Sequence, residues 1–191
     1  MRAGLLVLIL VVSPGAQAKT ATLEHVPLMW KPTSQLTLGT MQVSEAPIQF
    51  ETFQDLRDDK QAIGENSEDD KPKPLTTGDD VGTFLSRHMR ELFEHAGFKT
   101  VDSNGAVKIR GEVKRFFVRE TNTYRSEVAV HLTVVGRDGR TLWSGVASGD
   151  ATRFGRSYQL ENYYEVLSDA IVNTVSSMLQ STEFQKALAS K

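Results

Sequence analysis

Cysteine is absent from all 191 residues. Its absence excludes disulfides, thiol catalysis, thiolate metal sites and a lipid-modified cysteine at a processed amino terminus. Long apolar runs are scarce as well: the stretch from Gly4 to Val12 has nine residues, far short of the ~20 that a membrane-spanning helix needs. Neither sign of charge dominates, with 22 Lys and Arg against 24 Asp and Glu and a net charge of −2, which argues against a general polyanion binder. No G-x-S-x-G elbow, no glycine-rich phosphate loop between a strand and a helix, and no internal repeat or heptad register occurs.

What is present begins with Arg2, the short apolar run, Pro14 and Ala16-Gln17-Ala18, the pattern of a secretory signal peptide over residues 1–18. Cleavage there leaves a mature chain from about Lys19 with 21 bases against 24 acids, a net charge of −3. Such a protein is expected to be soluble and periplasmic, held at a membrane only by partners. Its length suits one domain. Residues 19–34, with two prolines and little periodicity, predict an extended amino-terminal arm, and residues 35–191 a single α+β domain.

Within that domain, Gln35 to Val43 and Ile48 to Phe53 read as short strands. From Asp58 to Thr77 nearly every residue is polar or charged and Pro72 and Pro74 enforce extended backbone, which predicts a disordered, acidic surface loop. Val81, Phe84, Leu85, Met89, Leu92, Phe93 and Ala96 then recur at helical spacing, with Asp79 and Asp80 at the amino end and Gly97 as the stop. Val107, Ile109 and Val113 alternate with charged residues until the phase slips at Arg115-Phe116-Phe117, the mark of a bulge or a strand end. A second row, Val128 to Val134, leads through the turn residues Asp138-Gly139 into a strand whose small residues Gly145, Ala147 and Gly149 suit a closely packed helix. That helix is expected from a capping box at Asn162 and Glu165 to about Gln180, and a last short one from Thr182 with Gln185. The expected fold is a two-layer α/β sandwich: a mixed, mainly antiparallel sheet with two main helices on one face and water on the other.

Candidate chemistry is thin. The acids of residues 55–70 fail the EF-hand spacing, because a start at Asp55 puts Arg57 and Lys60 where an oxygen ligand and a glycine belong, and a start at Asp58 puts Lys60 and Ala62 in ligand positions. His88, Glu91 and His95 border the apolar stripe of the first helix and read as a polar rim, although two imidazoles and a carboxylate could in principle ligate zinc. Ser144-Gly145 and Ser148-Gly149 are explained by packing. No catalytic, cofactor-binding or metal-binding residue is assigned, and no cofactor is called for. Residues 45–80 carry eleven acids and four bases, whereas residues 98–160 carry eleven bases and six acids. Lys108, Arg110, Lys114 and Arg125 therefore form a candidate partner-contact face, with Arg137, Arg140, Arg153 and Arg156 nearby in sequence. An envelope protein or an anionic envelope component fits such a face, and export disfavours nucleic acid.

Several short stretches taken together carry a family likeness: Phe53-Gln54-Asp55-Leu56-Arg57, Ile63-Gly64, Leu92 to Phe98, Asn104-Gly105-Ala106-Val107, Val128 to Val134 with its Asp138-Gly139 turn, and the helix from Asn162. In these the chain resembles the YajG-like family of bacterial envelope lipoproteins over roughly residues 35–188. The resemblance implies a small mixed-sheet domain with helices on one face and an envelope location, and it supplies no catalytic residues. The lipobox cysteine of that family has no counterpart here. The function expected is that of a non-enzymatic periplasmic accessory or binding protein of the envelope; the alternative is a small-molecule or lipid carrier with a cavity between helices and sheet.

Overall fold

A computed structural model describes residues 23–38, 43–155 and 157–189. The signal peptide at 1–18, residues 39–42 of the strand expected at 35–43 and Arg156 lie outside those residues; the described part of that stretch, 35–38 and 43, forms no strand. The elements in chain order are β1 (Ile48–Phe50), β2 (Gln54–Asp55), β3 (Ala62–Asn66), β4 (Lys73–Thr76), α1 (Val81–His95), β5 (Thr100–Val101), β6 (Val107–Glu120), β7 (Thr123–Gly136), β8 (Thr141–Phe154), α2 (Leu160–Gln180) and α3 (Thr182–Leu188).

The alternation in residues 107–154 builds three long strands that run antiparallel as a meander, β6 beside β7 and β7 beside β8. The phase slip expected at Arg115-Phe116-Phe117 is a bulge just before it, with the pairing passing from Val113 to Arg115, and the strand continues. Lys114 is thereby extra, and Phe116, Val118 and Glu120 inherit the inward row. Gly139 supplies the turn between β7 and β8 at φ +84°. Along the other side of β6 lie β1, β2 and β3, end to end and all parallel to it. β5 adds beside β1 and β4 beside β3.

Both main helices cover one face of this mixed sheet, as the periodicity predicted. α1 starts on Asp80, whose carboxylate accepts the Thr83 N–H at 2.5 Å, and gives way at Gly97, φ +91°. Its stripe from Val81 to Phe93 is buried with Ile48, Ile109 and Phe98; each large apolar side chain so buried contributes roughly 1.5–3 kcal/mol. α2 lies so close on β8 that a Cβ at Gly149 would sit 2.4 Å from the Thr174 nitrogen and 2.6 Å from the Ala170 oxygen.

Three expectations need correction. The capping box at Asn162 does not form: α2 begins two residues earlier, Gln159 makes no side-chain cap, and Glu165 pairs with Arg153 of β8. Ser181, one residue before the expected Thr182, caps α3 by accepting the Phe184 N–H at 3.4 Å. The third concerns residues 58–77, which are not a disordered loop. They contain the hairpin β3–β4, whose Ile63 and Leu75 are wholly buried while the turn from Glu68 to Pro72 stays exposed. Each of these short strands sends one large apolar residue inward among charged neighbours, too few for alternation to register.

The described part of the amino-terminal segment is irregular and crosses the helical layer as a strap. Leu23 and Val26 cover the outer side of β4, with Val26 N–H donating to the Thr76 oxygen at 2.9 Å and Thr76 N–H to the Leu23 oxygen at 3.0 Å. Farther on, polar side chains of α2 receive the strap's backbone: Lys31 N–H on Ser168 Oγ at 3.0 Å, Thr33 and Ser34 N–H on Asp169 at 2.7 Å each, and Thr37 N–H on Ser176 Oγ at 3.1 Å.

Candidate functional site

The face of the sheet away from the helices carries all four residues of the expected contact surface. Even-numbered residues of β6 up to the bulge, odd-numbered ones beyond it, and odd-numbered residues of β7 point outward, which sets Lys108 and Arg110 on one strand and Arg125 on the next; the bulge leaves both Lys114 and Arg115 exposed. The face is a checkerboard and not a basic plate. Arg110 Nε meets Glu51 at 2.8 Å, Lys114 Nζ meets Glu112 at 2.8 Å, Arg115 Nε meets Glu127 at 3.2 Å, and Arg119 Nε meets Glu65 at 2.7 Å. Exposed pairs of this kind contribute about 0–1 kcal/mol each, so they chiefly cancel one another's field. Among the described residues Lys108 and Arg125 have no carboxylate partner.

Arg125 has an unusual neighbour. It stands directly opposite Arg119 across β6 and β7, a like-charge juxtaposition that weakens a sheet. Beside it a concavity of about 630 Å³ opens over Ala129 and Ser148, with Arg115, Arg125, Glu127 and Asp150 on its walls. Sequence reading missed Arg115, Arg119 and their acidic partners. Glu51 and Glu65 reach this face only because β1 and β3 dock alongside β6.

At its border this face ends in an uncovered strand. Among the described residues β8 pairs with β7 alone, and its 14 residues make a long open edge. The opposite edges are either very short, as in β5, or covered by the strap, as in β4. Outward from β8 project Val146, 62% exposed, and Phe154, 88% exposed.

One side-chain constellation on this face invites a chemical reading. Ser144 Oγ lies 3.1 Å from His131 Nε2, and His131 Nδ1 lies 3.7 Å from Glu112, the order of a nucleophile, a base and an orienting acid. A triad requires a hydrogen bond from imidazole to carboxylate and donors aimed at a developing oxyanion. Here the second contact exceeds hydrogen-bond length, and Glu112 is held by Lys114, whose hydrogen bond and charge keep that carboxyl below its usual range. All three residues sit on a water-washed, regular part of the sheet. The three side chains make polar contacts across the outer face of β6, β7 and β8.

The helix histidines do not converge. His88 is buried, stacked on Trp30 of the strap with ring centres 4.4 Å apart and planes 8° apart, and edge-on to Phe84. Its Nδ1 meets Glu91 at 2.7 Å and its Nε2 meets Arg87 at 2.9 Å, which fixes a neutral ring with the proton on Nδ1. Burial, aided by Arg87 and opposed by Glu91, lowers its pKa. His95 is exposed at the end of α1. No group of three His, Asp or Glu among the described residues is placed to hold a metal ion.

Two buried ionic groups hold the frame beneath this face. Asp55 and Arg57 pair through two contacts, Nε to Oδ1 at 2.9 Å and the terminal nitrogen to Oδ2 at 2.7 Å, with side chains only 8% and 7% exposed. The guanidinium also donates to the carbonyls of Lys60 and Ala62 at 2.6 Å each and of Phe116 at 3.2 Å, so every part of its fork is used. Burial pushes Asp55 up, but the hydrogen bonds and charge of Arg57 outweigh it and leave the carboxyl below its ordinary value. Glu120, fully buried at the end of β6, has no cation among the described residues. Its carboxylate accepts the N–H groups of Ser157 and Tyr158 at 2.9 Å each and the hydroxyl of Tyr163.

Protein XCC0632 from Xanthomonas campestris shares the fold: TM-score 0.59 at 14% identity, over 81% of this chain and 94% of that one. Weaker similarity links it to the PelC dodecamer from Paraburkholderia phytofirmans, with TM-score 0.44 and 16% identity over 76% of this chain and 95% of that one. Lipoprotein GNA1162 from Neisseria meningitidis gives TM-score 0.37 and 14% identity over 69% and 99% of the two chains. No curated protein matches the sequence. None of the helices among the described residues is long and apolar enough to cross a membrane. The family model described as "Uncharacterized lipoprotein" matches residues 39–189, which leaves the strap outside the match and includes the Asp55–Arg57 clamp, the whole sheet and all three helices. The chain belongs to this YajG-like family of uncharacterized lipoproteins.

Proposed function

We propose that this chain is an exported, non-enzymatic accessory protein of the bacterial cell envelope, working in the periplasm after loss of residues 1–18, and that it binds another envelope component through its open sheet face. Family membership and the signal-type amino terminus support the compartment. The observation that carries the contact reading is the pair of cations, Lys108 and Arg125, left without carboxylates on a solvent-open face whose other bases are paired. Those two, together with Arg110 and Lys114, form the contact surface. Arg110 and Lys114 contribute by exchanging their intramolecular carboxylates for a partner's.

The carrier alternative gains no support from the packing between helices and sheet, where Ile48, Phe93, Leu132 and Ile171 are wholly buried and fill the space. A pulldown from envelope extract with residues 19–191 tests the contact reading. Lys108→Glu combined with Arg125→Glu is expected to lose a partner that the unaltered protein and a Lys99→Glu control both recover. Recovery of every partner by the double variant contradicts the reading.

A further inference from the structure

We propose that β8 is a strand-addition site, at which an extended segment of a partner protein pairs with the uncovered edge and places a carboxylate on Arg125. The proposal rests on the open face being a contact surface, and it names what docks there and how.

The direction of the β8 backbone follows from two hydrogen bonds. The Asp150 carbonyl accepts Asn173 Nδ2 at 2.8 Å, from outside the β7–β8 ladder, whereas the Ala151 carbonyl accepts Ser126 Oγ of β7 at 3.4 Å. In an antiparallel strand the N–H and C=O of one residue point to the same side, and the side alternates. The register runs without a shift from Trp143 to Phe154. Ser144, Val146, Ser148 and Thr152 therefore aim both backbone groups at the open edge, where among the described residues only the Asp150 carbonyl is taken.

Edge strands are ordinarily blunted by proline, lysine, covering segments or brevity. β8 contains neither proline nor lysine, and at 14 residues it is long. The chain covers its other edge with the strap, yet it leaves this one bare from Ser144 to Ser148. Small side chains at Ser144 and Ser148 flank Val146, so an added strand can lie close and rest an apolar side chain against Val146.

Arg125 supplies the charge requirement. It pairs with Thr152 of β8, and an added strand beyond Thr152 lies two strand spacings away, roughly 10 Å, within the combined reach of an arginine and a glutamate across a threonine. Arg119 opposite is already paired with Glu65, which leaves Arg125 as the cation at this end of the face that takes a partner's carboxylate. Val146 and Thr152 are six residues apart on one face. The fitting partner thus offers an extended segment that runs parallel to β8, with an acidic residue six positions after an apolar one.

The test titrates ¹⁵N-labelled protein with the peptide TVTSTSTET, which has that spacing, and with TVTSTSTKT. Shifts and slowed exchange at the Ser144, Val146 and Ser148 amides are expected with the first peptide, weakened about tenfold by the lysine peptide or by Arg125→Glu. Val146→Pro removes an edge donor and no bond to β7, so it is expected to retain the native spectrum and lose the peptide. Undiminished binding by a folded Val146→Pro protein overturns strand addition. Shifts confined to the Arg125 and Lys108 side chains also overturn it while sparing the contact-face reading, and shifts nowhere overturn both. If the β8 amides of peptide-free protein instead shift on dilution, the edge belongs to a second copy of the chain and the partner assignment falls.

Discussion

Replacing Arg57 with alanine is expected to destabilise the protein by about 3–5 kcal/mol, the cost of stranding one member of a buried ion pair. Asp55 would remain as a desolvated carboxylate, and the carbonyls of Lys60, Ala62 and Phe116 would lose their donor. The consequence reaches beyond the loop, because this guanidinium ties the segment after β2 to the start of β3 and to the backbone of β6. Urea unfolding followed by circular dichroism measures the loss. Asp55→Ala with Arg57→Met together should cost clearly less than the two single changes summed, since the pair shares one penalty. A loss below about 1 kcal/mol for Arg57→Ala would show that water reaches the pair, contrary to its exposure.

The second large effect is expected at Glu120, where alanine should cost about 3 kcal/mol by leaving the Tyr163 hydroxyl and the N–H groups of Ser157 and Tyr158 without their acceptor. Tyr158 has φ +47°, a left-handed conformation that a tyrosine rarely adopts, and the two backbone bonds to Glu120 hold it there. The pH dependence follows from the direction of the shift. Burial alone would raise the Glu120 pKa, but hydrogen bonds from Tyr163, Tyr158, Asn66 and Ser157 prevail and set it below the ordinary 4.5. A carboxyl that binds its proton more weakly when folded stabilises the native state above its unfolded pKa and loses that contribution as pH falls through the folded value. Asp55 acts in the same sense from its ordinary 3.8. Stability should therefore decline as pH falls below about 5, and Glu120→Gln should flatten part of that decline. Burial and the neighbouring Glu120 push the Tyr163 pKa upward, so its hydroxyl stays a donor throughout.

Much of this frame could be read from residue pattern. The three long strands, a phase slip beside the bulge, the Asp138-Gly139 turn and both main helices followed from period and turn chemistry, and for α1 from capping, since each strand and helix buries enough apolar residues at one spacing to outweigh local noise. The β3–β4 hairpin did not follow. Its acids and lysines obey solubility at the exposed turn, while Ile63 and Leu75 alone report burial. The start of α2 was misplaced because Asn162 and Glu165 imitate a capping box, whereas Arg153 and Ser157 claim those side chains.

The contact face was legible only in part. Alternation put Lys108, Arg110 and Arg125 on one side, but their neutralisation by Glu51, Glu65 and Glu127 depends on strands that pair far from their place in sequence. The Asp55–Arg57 clamp shows the same limit. Its residues stood out as part of a family likeness, and their fully bonded, buried geometry emerges only when β6 supplies the Phe116 carbonyl. The uncovered edge of β8 was likewise invisible, because an edge is defined by what fails to pair with it.

Amide exchange along β8 tests the uncovered edge most directly. The Ala147, Gly149 and Ala151 amides face β7 and should exchange slowly, while those of Ser144, Val146 and Ser148 should exchange near the rate of free peptide, an alternation from one residue to the next. Equal protection of both sets in the isolated protein would mean that something already covers β8, and it would contradict strand addition at this edge.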